Sequence, residues 1–297
     1  MSEFRQNSVQ MRAYFMKRIV VFFLSIITGI SYGQRHELGV FLGGTNAISD
    51  IGRTDYINPM PKKVNGSFKV PATFGLIYRR NLNPQQSLRF GLTYASFIDS
   101  DYLAVEEYRR YRGLSYTNSL LELSTLFEYN FFPINTEQRS AHSPYIFAGL
   151  AGFMHPKPKY EVYYQNYEDN TENRAGYQTV VKENNGNQLS MSIPFGVGYK
   201  VKFNWNWILS AEVGFRPTFV DNLDMAWVEE GDVETFKQVG LTYAGATLTE
   251  EQLNADLEKK TKEIIEKRQL GDTKNDWYVF TGFTLTYTFG RPACFCD

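Results

Sequence analysis

The sequence predicts an all-β protein: an eight-stranded antiparallel up-and-down transmembrane β-barrel with long loops on one rim and short turns on the other. Three observations predict it. Apolar and polar residues alternate with period two along eight segments. The connections between those segments alternate long and short, and the polar faces carry acids and bases in equal number.

The clearest segment is 189–201. Leu189, Met191, Ile193, Phe195, Val197, Tyr199 and Val201 share one face, and Ser190, Ser192, Pro194, Gly196, Gly198 and Lys200 share the other. Segment 277–289 repeats the pattern, with Trp277, Val279, Thr281, Phe283, Leu285, Tyr287 and Phe289 on one side and Gly282, Thr284, Thr286 and Thr288 opposite. Phe280 breaks the polar face there. The same criterion places strands near 36–44, 70–80, 87–98, 119–132, 144–154, 188–202, 207–217 and 276–289, joined by connections of 25, 6, 20, 11, 33, 4 and 58 residues. Tight rims carry turn chemistry, as in Asn81-Leu82-Asn83-Pro84 and Phe203-Asn204-Trp205-Asn206.

The polar faces decide which solvent meets the apolar ones. They carry Glu37, Arg79, Arg89, Glu122, Glu128, Lys200, Glu212 and Arg216, four acids and four bases. A lipocalin-like barrel would turn its apolar face inward, whereas a membrane barrel turns it to lipid and keeps the charges inside. Eight strands enclose an interior just wide enough for side chains to fill, so these eight residues are expected to form interior ion pairs. A β-sandwich with a solvated polar face is the alternative. Tyr78, Tyr129, Tyr145, Trp207, Trp277 and Tyr287 fall at strand ends, as aromatic girdles at lipid interfaces require.

Composition sets the outer bounds. The chain has 297 residues, 43% hydrophobic, 16% aromatic and 21% charged, which excludes a disordered chain. The longest apolar run, Ile19 to Ile30, is too short to span a bilayer as a helix. It follows Lys17 and Arg18 and precedes Ser31-Tyr32-Gly33, the layout of a secretory signal with cleavage between Gly33 and Gln34. Translation is expected to start at Met16 or Met11. The sequence therefore divides into 1–33 (extension and signal peptide), 34–290 (barrel, with a helical insertion near 249–270) and 291–297 (periplasmic tail). Cleavage removes four basic residues and one acidic one, leaving 27 basic against 31 acidic, a balance that offers nucleic acid no basic stripe.

Helix signals occur once. Thr249-Glu250-Glu251-Gln252 makes a capping box, followed by an apolar stripe of Leu253, Leu257, Ile264 and Ile265 ending before Gly271. No cofactor, metal or catalytic site is expected. The three histidines, His36, His142 and His155, form no metal-binding spacing, and no nucleophile elbow or phosphate loop occurs. A lipid-modifying barrel enzyme would have to build on His155 at one rim. Cys294 and Cys296 are the two cysteines of the chain. Joining them to each other would close a strained ring, so a disulfide to a periplasmic partner stands beside two reduced thiols in a tail.

Glu37-Leu-Gly-Val-Phe-Leu-Gly-Gly-Thr-Asn46 and the following Asp50-Ile-Gly-Arg-Thr-Asp-Tyr-Ile-Asn-Pro59 resemble the PorG family of the Bacteroidetes type IX secretion system. Tyr78-Arg-Arg-Asn-Leu-Asn-Pro84, Pro144-Tyr-Ile-Phe-Ala-Gly149 and Tyr287-Thr-Phe-Gly-Arg-Pro292 extend the resemblance over nearly all of 36–293. It implies a small, non-enzymatic outer-membrane barrel, in contact with outer-membrane lipid and with a periplasmic ring of the PorK and PorN type, called GldK and GldN in gliding relatives. A surface adhesion barrel is the rival reading.

Overall fold

The computed structural model describes residues 36–53, 55–64, 66–136, 138–169, 174–225, 230–236, 242–243, 246–247, 250–268 and 275–290. The signal segment, the tail with Cys294 and Cys296, and the proposed capping residue Thr249 lie outside the described residues.

The barrel strands are β1 (His36–Ile48), β2 (Ala72–Asn81), β3 (Gln86–Ser100), β4 (Ser115–Asn130), β5 (Ala141–Asp169), β6 (Arg174–Ser192), β7 (Phe195–Lys202), β8 (Trp207–Pro217) and β9 (Trp277–Phe289). Consecutive strands pair antiparallel from β1 through β5. β5 then pairs β6 through Asp169↔Arg174 to Ala151↔Ser192, and pairs β7 through Ala148↔Phe195 to Ala141↔Lys202. Strands β6 and β7 thus form one stave, interrupted at Ile193-Pro194 because proline cannot donate to a ladder. The ring closes through β7–β8, β8–β9 and β9–β1, the last in register from His36↔Phe289 to Ile48↔Trp277. Eight staves in a closed ring leave no open edge around the barrel wall.

Burial alternates residue by residue along β2, β4 and β8 and along most of β3 and β9. In β4 it runs from exposed Ser115 and buried Tyr116 to buried Asn130. The exposed set is apolar: Leu38 and Leu42, Phe74 and Leu76, Leu121 and Leu123, Phe283 and Leu285 all face outward. Glu37, Arg79, Glu122, Glu128 and Lys200 are each 1% exposed or less. Charges inside and apolar side chains outside is the reverse of a water-soluble domain. It satisfies the bilayer's demand that every backbone group be paired while lipid meets hydrocarbon.

Two sequence expectations change. The stretch between 154 and 188, read as a loop, is mostly a paired hairpin, since β5 and β6 continue well past the barrel wall. The fifteen residues from His155 to Asp169 extend about 50 Å at the rise of a strand. Its sequence, rich in Tyr, Lys and Glu, lacks a continuous apolar alternation, although Tyr160 and Val162 are buried on one face. The second change concerns Tyr145, assigned to a girdle. It is 1% exposed and points inward, because its odd number shares phase with Ser143 and Phe147 on β5.

The helical insertion is present as α2 (Glu250–Arg268), after the short α1 (Glu107–Arg112) between β3 and β4. Buried Leu257 and Ile264 of α2 pack with Tyr160 and Val162 of β5 and with Val233. Val233–Phe236 is a short strand added parallel to β5 at Tyr160–Tyr163.

Candidate functional site

The interior of the barrel gathers all eight residues singled out as ion-pair formers. Each reaches it by the same rule: its position on its strand is in the inward phase. Toward the short-turn end, Glu128 on β4 is the hub. It accepts from Arg79 of β2 (Nη2–Oε1 3.2 Å) and from Lys200 of β7 (2.6 Å), and Arg89 of β3 stands 3.2 Å away. Arg79 also binds Glu37, whose other oxygen accepts from Asn81 at 2.8 Å. Thr286 donates to Glu37 at 3.0 Å. Arg89 donates to Glu212 of β8 at 2.6 Å, and the Tyr145 hydroxyl donates to the same carboxylate. Three carboxylates therefore meet three cations in contact distance, a neutral set.

Aromatic rings complete the packing of these cations. Lys200 lies 4.4 Å from the Tyr145 ring centroid and Arg89 4.7 Å from that of Phe147, the range of a cation–π contact. Glycines on the neighbouring staves make room for those rings. A Cβ at Gly198 would lie 2.5 Å from Tyr145 Cε1, and one at Gly196 2.5 Å from Phe147 Cζ.

Above this layer sits the second pair, Arg216 with Glu122 (Nε–Oε2 2.9 Å). Tyr278 donates to the same Glu122 oxygen at 2.6 Å, and the Arg216 guanidinium lies 3.9 Å from the Phe280 ring centroid. Toward the long-loop end the filling turns apolar. Phe41, Phe97, Phe153, Phe280 and Tyr278 pack with Leu120, and Ile51 and Leu223 reach in from the connections. Phe280, which broke the polar face of its strand, belongs to this plug. Sequence periodicity missed the plug because an inward Phe is apolar like its outward neighbours. The one legible sign was Phe280 itself, an apolar residue in the phase otherwise held by Gly282, Thr284, Thr286 and Thr288.

The long-loop mouth is clasped shut. Asp101 accepts from the Gly52 N–H (2.9 Å), from Arg112 (Nε 2.7 Å) and from the Leu114 N–H (3.1 Å). Burial opposes ionisation of Asp101, but these donors outweigh it and hold its carboxyl below the usual carboxylate range. Arg109 and Arg112 of α1 donate to the carbonyls of Gly52 and Asp50, and the Ile51 N–H donates to Asp224 at 3.0 Å. Leu223 N–H donates to Asp276 at 2.8 Å and Asn118 donates to the Leu223 carbonyl at 2.7 Å. Three connections, 49–71, 101–114 and 218–225, are thus tied into one lid. Burial, and then the charge of Asp224, push the Asp276 carboxyl well above its usual range.

His155, on which a lipid-modifying site would have to build, lies where β5 leaves the barrel wall. It is buried, its Nδ1 lies 3.0 Å from the Pro156 carbonyl oxygen, and its ring packs on Phe153. Among the described residues no three His, Cys, Asp or Glu side chains are placed to hold a metal ion.

A closed eight-stave ring, apolar outside and filled inside, defines a small membrane-spanning β-barrel of the outer-membrane class with a sealed lumen. The chain belongs to the family described as Domain of unknown function (DUF6089), whose profile matches residues 16–249 and 243–297. No curated protein matches it. Among solved structures it is similar to the N-terminal β-barrel domain of Pseudomonas aeruginosa OprF, at 12% identity and TM-score 0.36, covering 86% of this chain and 98% of that one. It is also similar to Ail, the attachment invasion locus protein of Yersinia pestis (8%, TM-score 0.35, covering 86% and 99%). The outer membrane protein OprG of Pseudomonas aeruginosa matches at 8% and TM-score 0.38, covering 88% and 98%. At that overlap the ring of strands itself, not the likeness, defines the fold.

Proposed function

We propose that this chain is a non-enzymatic outer-membrane component of the type IX protein secretion and gliding machinery. In this reading it is exported by its signal peptide and cut between Gly33 and Gln34. Its lipid-facing belt then holds it in the outer membrane, and its short-turn rim and tail position a periplasmic ring of the PorK/PorN or GldK/GldN type. The resemblance of 36–59 and 78–84 to the PorG family supports the machinery. The observation that carries the role is the filled lumen. Ion pairs at one end and aromatic rings at the other leave no path for a polypeptide, so what the barrel offers a secretion apparatus is a fixed membrane anchor with two rims.

Affinity purification of a tagged full-length chain from detergent-solubilised outer membranes, with and without reductant, tests this. Ring proteins are expected to co-purify, and a reductant-sensitive conjugate lost in Cys294→Ser or Cys296→Ser would assign the tail as the attachment. Recovery of the barrel alone overturns the tether.

A second reading, surface adhesion, draws on the long β5–β6 hairpin with α2 packed on it, which raises a folded platform beyond the barrel wall. Deleting 226–270 separates the two: secretion survives and attachment is lost if the platform is the working part.

A further inference from the structure

The platform beyond the barrel wall has an unfinished edge. The strand Val233–Phe236 pairs with β5 along one side, from Val233↔Tyr160 to Phe236↔Tyr163. In a parallel ladder every second residue turns its N–H and C=O toward the neighbouring strand, and the residues between turn theirs the other way. Among the described residues no strand takes up that second side. Val233–Phe236 ends its sheet, and the next strand in the chain, Thr242–Tyr243, lies against β6 on the far side of β5.

A groove of about 590 Å³ runs beside the free edge, between Val233 and Thr235 on one wall and α2 on the other. Among the described residues that line it none belongs to β5, so it opens on the side of the strand that β5 leaves unpaired. The helix presents two rows to it. Leu257, Thr261 and Ile265 are buried or half-buried and form the inner row, while exposed Glu258 and Lys262 stand on the rim. Residues four apart on a helix are separated by a rise of about 6 Å, close to the roughly 6.7 Å between alternate residues of a strand. Leu257 to Ile265 therefore matches about four residues of extended chain.

The two walls select one kind of occupant. A row of backbone donors and acceptors is satisfied in register by another extended chain, which a lipid or a helix cannot supply. A second copy of this protein does not fit. Two copies in one membrane are related by an axis along the membrane normal, which sets equal residues of two upright strands side by side, whereas a parallel ladder needs them offset by one.

We propose that this groove takes up an extended segment of another polypeptide as an added strand. The segment is about four residues long, with apolar side chains at alternate positions set against Leu257 and Ile265 and no proline on its pairing edge. The site goes beyond the secretion reading and rests only on the platform. It stands on the long-loop side, away from the rim that a periplasmic ring would occupy.

The probe is a fluorescein-labelled peptide, acetyl-Lys-Val-Thr-Val-Thr-Val-Lys-amide, titrated by fluorescence polarisation against the full chain in lipid nanodiscs. One peptide should bind per chain, and hydrogen exchange at the amides of 233–236 that point away from β5 should slow about tenfold. Methylating the internal backbone nitrogens of the peptide keeps its side chains and removes its donors, so binding should weaken about tenfold or more. Thr261→Phe, which fills the groove between Leu257 and Ile265, should weaken binding to a similar degree. Glu258→Trp tests the same wall from its exposed rim without touching the packed row, and should also weaken it. Lys259→Phe, on the opposite side of α2, should leave binding unchanged. Exchange protection of α2 verifies that the helix stays docked in each variant. No saturable binding, equal binding of the methylated peptide, or equal behaviour of the groove variants and Lys259→Phe would each overturn the proposal. So would protection along β6 in place of 233–236, or a dimer of the chain that the peptide dissociates.

Discussion

Near the short turns the barrel holds Glu37, Glu128 and Glu212 against Arg79, Arg89 and Lys200; near the long loops it holds Phe41, Phe97, Phe153, Phe280 and Tyr278 around Leu120 and Leu223. The two fillings answer different needs. A charge cannot face the hydrocarbon cheaply, so each acid and base of the first half forces its strand to turn that face inward. A phenylalanine has no such compulsion, because lipid is as apolar as a protein core. What the rings gain inside is dispersion contact and a dry mouth. The polar half therefore sets which face of each stave points in and fixes register, while the apolar half, carried inward by the same alternation, seals.

Breaking the polar half should cost most. Glu128→Gln keeps the shape and removes the charge that three cations share, with Arg79, Arg89 and Lys200 all fully or almost fully buried. A loss of about 3–5 kcal/mol is expected, the cost of stranding buried charge. Reversible urea unfolding in lipid vesicles, followed by tryptophan fluorescence, measures it. A loss below about 1 kcal/mol would mean water already reaches the network and the half is not a register lock.

The apolar half should fail more gently. Phe153→Ala leaves a cavity beside Tyr278 (centroids 5.5 Å apart in the native packing), and about 3 kcal/mol is expected, the low end for such truncations. The two halves act as seals in series, so conductance sharpens the comparison. Glu128→Gln and Phe153→Ala alone should each remain non-conducting in planar bilayers, because the other layer still blocks the lumen. Combining Glu128→Ala with Phe153→Ala should give small, discrete ion currents.

A different test reaches the lid above the apolar half. Asp276 sits just before β9, and its carboxyl is held well above the usual range by burial and by Asp224, with Asp221 and Asp50 adding to the repulsion. A folded state that keeps the proton longer than the unfolded one loses stability as pH rises from the ordinary carboxylate value, about 3.9, toward the raised one, and levels off above it. The contribution of Asp276 to the lid should therefore be largest in acid, opposite in sign to that of Asp101, whose lowered carboxyl loses its donors' stabilisation as pH falls. Asp276→Asn should flatten this slope and slow hydrogen exchange at the Leu223 amide at neutral pH, with no change in the polar half. An unchanged slope would place the titration elsewhere in the lid.

The unequal legibility of the two halves follows from the same physics. Glu37, Arg79, Arg89, Glu122, Glu128, Lys200, Glu212 and Arg216 could be placed inside from sequence because a charge on an otherwise apolar strand has one acceptable side. Phe41 and Phe153 could not, since each is flanked by outward apolar residues and either side would suit it. Tyr145 was misplaced for the related reason that a tyrosine near a strand end serves a girdle as well as a buried carboxylate. Period two gave no strand signal along 155–187, where the hairpin runs past the barrel wall and the apolar contacts that one face makes, at Tyr160 and Val162, are with α2 and Val233 and not with lipid. There the backbone ladder with β6, the strand 233–236 and the stripe on α2 supply the order that alternation does not encode.

That outer platform should respond least of all. Lys260 and Glu263 on α2 form an ion pair of 3.0 Å with both side chains more than a third exposed. An exposed pair three residues apart on a helix is worth about 0.3–0.5 kcal/mol, screened further by salt. Lys260→Ala should shift local exchange protection of α2 by no more than that and leave the barrel's urea midpoint unchanged. Leu257→Ala in the same helix removes a side chain buried against Tyr160 and Val162, so it should release α2 from β5 while the barrel again stays folded. If the Leu257 variant lowered barrel stability as far as Phe153→Ala does, platform and barrel would be one cooperative unit. The contrast between a charge-registered wall and its independent outer decoration would then fall.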